Sequence, residues 1–170
     1  MNEEKAALPE PWLRGTLAEV PAVPRAVLHA LELGREDLWK WCFGLSDGQL
    51  NARPAGIASV AFHIRHIARS LDRLLTYAEG SPLSEAQIEL MKAEFDPGAT
   101  HRRVFEEVEA ALERSARRVR ALAAEDFSAR RSVGRKRFPT TLGDLLVHVA
   151  DHTQRHVGQA ITTAKVAAAA

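Results

Sequence analysis

"LLVHVADHTQRHVGQAI", residues 145–161, holds three of the chain's seven histidines, at positions 148, 152 and 156. Leu142, Leu146, Val149, Thr153 and Ala160 recur around them at three- and four-residue intervals, the period of an amphipathic helix. Pro139 and the capping residues Thr140 or Thr141 place its start. The closing "VAAAA" (166–170) only prolongs it. Four residues turn a helix by about 400°, so His152 and His156 lie about 40° apart and about 6 Å along the axis. Two imidazoles so spaced can converge on one ion, although His-x-x-x-His also occurs on solvated faces. Measured from the centre of the apolar stripe, His156 is displaced by about 40°, His152 by about 80° and His148 by about 120°. The first two therefore point to the interior edge, and His148 drifts towards solvent. Burying neutral imidazoles without partners is costly, and a shared metal satisfies both.

Three further windows carry the same period. About Pro21 to Phe43, the apolar positions are Val23, Val27, Leu31, Leu38 and Cys42, with prolines only at the start, where a helix tolerates them. Ser59 is an N-cap for a helix through Val60, Ile64, Ile67, Leu71, Leu74 and Ala78, which Gly80 and Ser81-Pro82 end. Thr100 caps a third window to about Ala124, with Val104, Val108, Leu112, Val119 and Leu122 inside. No stretch shows convincing β alternation, so the expected fold is all-α, a four-helix bundle. The connection "GSPLSEAQIELMKAEFDPGA" (80–99) exceeds a hairpin turn. It can run the length of the bundle, with room for a short helix, so a crossover is expected between the second and third helices. Residues 1–20 read as an N-terminal extension, 21–166 as one domain and 167–170 as an alanine-rich tail.

The bulk figures agree with a single globular domain. The 170 residues are 46% hydrophobic and 26% charged, with a formal net charge of +1. No global field favours nucleic acid or an anionic membrane. "MNEEKAALPEPW" (1–12) lacks the apolar run of a signal peptide, and no apolar run reaches the roughly 18 residues of a membrane span. The lone Cys42 excludes an internal disulfide and suits a reducing cytoplasm. It fits the apolar stripe of its helix and reads as core rather than nucleophile.

Other chemistries lack their residues. "HTQRH" (152–156) has no zincin glutamate. No Glu-x-x-His pair supports a di-iron site, and no Gly-rich phosphate loop or Gly-x-Ser-x-Gly elbow occurs. The basic run "ARRSVGRKRF" (129–138) reads as a solvated loop. Trp12, Trp39 and Trp41 read as packing residues, and His29 and His101 have no evident partner.

A tetrahedral ion wants a third protein ligand. "SVAFHIRHIARSLDRLL" (59–75) offers His63, about 60° from its stripe, and His66, about 120° away. Periodicity leans towards His63 and leaves both open.

"LSDGQLNARP" (45–54), then "SVAFHIRHIARSLDRLL", then "LLVHVADHTQRHVGQAI" together resemble the DinB-like superfamily of metal-binding four-helix bundles, from about Pro21 to Thr163. The resemblance places the ligand of the second helix directly before "Ile-Ala", which selects His66. It matches the other two ligands to His152 and His156. His148 matches no ligand and reads as a rim or surface residue. The resemblance implies up-down-down-up topology, a divalent ion (zinc or nickel most often) with open coordination, and a homodimer. Some branches are thiol transferases or thiol-dependent isomerases. The expected function is thus a metal-dependent transferase or hydrolase acting on a small molecule with a thiol or water nucleophile, and no nucleic-acid or membrane partner. The alternatives are a non-catalytic or stress-inducible metal-binding bundle, and a helical module with no metal. Asp151 points about 100° away from His152, so an orienting partner for the ligands is expected from another helix.

Overall fold

Ser59 starts its helix as the sequence predicts: its hydroxyl accepts the Phe62 N–H at 3.2 Å, and α3 runs over Val60–Ala78. The computed structural model describes residues 8–95 and 97–169. Residues 1–7 of the expected extension, Asp96 within the crossover and Ala170 of the tail lie outside the described residues. The three other expected helices are α1 (Ala22–Cys42), α5 (His101–Ala121) and α6 (Leu142–Ala169). Thr141, not Thr140, caps α6. Its hydroxyl accepts the Asp144 N–H at 3.1 Å, and Asp144 Oδ2 accepts the Thr141 N–H in return at 3.2 Å. Two short helices complete the set. One, α2 (Asp47–Asn51), is fixed by a reciprocal Ser46–Gln49 capping box, and α4 (Glu85–Lys92) lies in the crossover with the same device at Ser84 and Gln87.

The fold is mostly helical. α3 packs against α5 and α6, and α1 packs against the same two helices. The shared core includes Leu38 and Cys42 from α1, Ile64, Ile67 and Leu71 from α3, Val108 from α5, and Leu146 and Val149 from α6. At Gly34 the α1 backbone comes so near α6 that an added Cβ would sit 3.3 Å from Val157 and Gln154. Gln154 Nε2 donates to the Ala30 carbonyl across the same seam at 2.7 Å. No helix among the described residues is long and apolar enough to cross a membrane.

One expectation is corrected. The run 129–138 is not a loop, and the fold is not purely α: β1 (Arg130–Val133) and β2 (Phe138–Thr141) form an antiparallel hairpin, with Arg130 opposite Thr141 and Val133 opposite Phe138. Left-handed backbone at Gly134 and Arg137 turns the chain between them. Arg131 is not simply solvated. Its Nε donates to the Ala78 carbonyl at 2.6 Å and satisfies one of the orphan acceptors at the end of α3. Trp39 packs edge-on against Phe105, but Trp12 and Trp41 are largely exposed, the latter under the Lys165 ammonium.

Because Ser59 anchors the helix that carries His63 and His66, Ser59→Ala should lower stability by about 1 kcal/mol. A shift of the urea midpoint at unchanged slope checks this.

Candidate metal centre

His63 and His66 stand three residues apart on α3, and His152 and His156 four apart on α6. The α3–α6 seam brings all four rings together. One potential ligand nitrogen from each of His66, His152 and His156 lies within 4.8 Å of the others. The His66 and His152 Nε2 atoms face each other at 3.3 Å. The His66 and His156 ring centroids are 4.3 Å apart, and those of His152 and His156 4.7 Å. The lean towards His63 was not empty: it is buried, and its Nδ1 meets His156 Nδ1 at 3.1 Å. His63 thus joins the cluster beside the trio rather than within it. His148 stands at the rim, about half exposed and 3.6 Å from Asp151.

Burial sets the electrostatics. It pushes His63 and His152 down to about 4 and His156 to about 3, and the neighbouring His66 adds to each shift. These three rings are therefore neutral at pH 7, the form in which imidazole ligates. His152 Nδ1 is buried with no hydrogen-bond partner among the described residues. A core histidine ordinarily satisfies both nitrogens. A ring with an uncommitted nitrogen against two other imidazoles suits a ligand, and the donor set fits a divalent ion of borderline softness.

The orienting partner is a residue that helical periodicity does not reveal. Glu94, in the helical turn Ala93–Phe95 after α4, is 4% exposed, and its Oε2 accepts from His66 Nδ1 at 2.7 Å. Arg73 donates to its other oxygen at 2.7 Å. Burial raises the Glu94 pKa, but the His66 and Arg73 hydrogen bonds outweigh it and hold the carboxyl below its usual range. With Nδ1–H donated to a carboxylate, His66 keeps its Nε2 lone pair for the centre. Phe62 stacks on His66, with ring centroids 5.4 Å apart, and on the exposed Phe95 at 4.1 Å.

The remaining candidates are structural. Cys42 is fully buried, and burial with the Asp37 charge pushes its thiol up to about 12, so it is no nucleophile at neutral pH. His29 meets the Thr16 hydroxyl at 3.1 Å. His101 donates to the Phe43 carbonyl at 2.6 Å, so both have partners after all.

A mostly helical domain with histidines clustered on two packed helices is compatible with metal binding. The sequence model of the DinB superfamily matches residues 30–160, and the chain belongs to that superfamily. Comparison with curated proteins found no match.

Proposed function

We propose that this chain is a metal-dependent enzyme of the DinB superfamily, an up-down-down-up four-helix bundle in which His66, His152 and His156 hold a divalent ion, zinc or nickel. The observation that carries the reading is the convergence of three imidazole nitrogens within 4.8 Å across the α3–α6 seam. Such an ion supplies a Lewis acid that favours the deprotonated form of a thiol or water nucleophile near neutral pH. The chain's own part is to keep the His152 and His156 rings neutral by burial, to fix the His66 tautomer through Glu94, and to leave coordination open to a small-molecule substrate. The proposal includes a low-molecular-weight thiol as cosubstrate, a homodimeric assembly and a cytoplasmic setting.

His63 favours a second reading. A fourth imidazole 3.1 Å from His156 could close the coordination sphere and make the ion a staple between α3 and α6, without catalysis.

Titration of the purified chain with zinc, nickel or cobalt(II) should reach one ion per chain. The cobalt(II) visible spectrum should then change when a small thiol is added. Absence of stoichiometric binding overturns both readings. Binding with a spectrum indifferent to thiols and other exogenous ligands selects the staple.

A further inference from the structure

We propose that Glu94 is a positioning residue for His66, and that through it the crossover segment Glu85–Phe95 is thermodynamically coupled to metal occupancy. The inference rests on the metal reading above and concerns what controls that site.

A carboxylate and a guanidinium taken out of water seldom stabilise a fold more than apolar residues of the same size would. Yet Glu94 and Arg73 are 5% and 11% exposed at the side chain, paired at 2.7 Å. The second oxygen of Glu94 is spent on His66. Arg73 follows His66 by seven residues on α3, two helical turns, so both rise from one side of the helix. Between them they hold the carboxylate in one orientation. A carboxylate accepting from Nδ1–H selects the tautomer, fixes the ring plane and raises the basicity of Nε2.

The element that delivers Glu94 is otherwise lightly held. α4 buries none of its own residues, and Leu90 and Met91 on it are exposed. Gln87 donates to Asp72 and Thr76 of α3 at 2.6 and 2.8 Å, Arg69 donates to the Leu90 carbonyl at 2.7 Å, and just beyond α4 the exposed Phe95 stacks on Phe62. Glu94 is thus its buried anchor, and the anchor's partner is a proposed ligand. Whatever favours His66 in its ligating pose favours closure of the crossover, and closure favours binding by the same factor.

The test is zinc titration against a competing chelator on the full chain, with hydrogen exchange read over residues 85–95. Glu94→Ala should weaken zinc affinity by roughly 10- to 100-fold while leaving the stoichiometry at one. Glu94→Gln, which can still accept from His66, should lose less. Zinc should slow exchange across 85–95 in the wild type and not in Glu94→Ala. Since an unpaired Arg73 could itself unsettle α3, the double variant Glu94→Ala/Arg73→Met removes both charges and should show the same loss of affinity. Wild-type binding with either alanine variant within twofold of it overturns the coupling and leaves the metal reading standing. A wild type that binds no ion overturns both.

Discussion

His156→Ala should weaken zinc or nickel binding on the order of a thousandfold. Structural zinc sites hold their ion with roughly 10 to 16 kcal/mol, so one ligand of three carries about 3 to 5 kcal/mol. His156 is the most connected ring of the cluster, touching His66, His152 and His63. Its loss therefore removes a proposed ligand and also leaves His63 Nδ1 buried without its partner. His148→Ala is the control. That ring stands 5.4 Å from His152, is half exposed and faces Asp151, so its removal should leave affinity within about twofold. Competition titrations on metal-free protein measure both. Equal affinities for His156→Ala and wild type would remove His156 from the site.

The long helices were legible because their apolar positions repeat and, in α3, α5 and α6, their caps are conventional. Ser59, Thr100 and Thr141 each accept an N–H three residues on. The hairpin was not legible. Its strands read Arg-Arg-Ser-Val and Phe-Pro-Thr-Thr, too short and too charged to alternate, with a proline inside β2. What makes it a hairpin is tertiary: the Arg131 bond to the end of α3 and the Leu142 and Gly143 N–H groups donated to the Ala129 and Phe127 carbonyls. α2 was missed for a similar reason. Five residues hold too few turns to show a period, and only the Ser46–Gln49 box marks it.

The site was legible in part, and the wheel shows why. On α3 the buried residues are not one narrow stripe: Ala61, His63, Ile64, Ile67, Ala68, Arg69 and Leu71 are all buried, so the inward arc spans more than half the helix. A moment drawn through Ile64, Ile67 and Leu71 places His63 inside and His66 on the shoulder, and a ring on the shoulder still reaches α6. Glu94 lies beyond any such reading. It follows a short amphipathic helix in a segment without period, and only the path of the crossover brings it to His66. The carboxylate that meets His66 Nδ1 is long-range information, which helical spacing does not encode.

Acidification should destabilise the metal-free protein between about pH 6.5 and pH 4. An unfolded histidine titrates near 6.5, whereas burial holds His63 and His152 at about 4 and His156 at about 3 in the folded chain. In that window the unfolded chain binds protons that the native state refuses, so stability falls as pH falls. The contribution is fully present above pH 6.5 and gone once the folded rings protonate. Glu94 acts in the same direction at lower pH, since its carboxyl is held below its usual range. Asp37 opposes, because burial raises its pKa and its protonation favours the folded state. Three rings against one carboxyl decide the sign. The loss should reach a few kcal/mol, a large part of the roughly 5 to 15 kcal/mol that holds a domain of this kind together. Saturating zinc should move the decline to lower pH, because ion and protons compete for the same nitrogens. Urea midpoints of chelator-treated protein at pH 7.5, 5.5 and 4.5, with and without zinc, measure it. A metal-free midpoint that stays level from pH 7.5 to pH 4.5 would mean that the rings are solvated rather than buried, and that the seam is looser than the one described here.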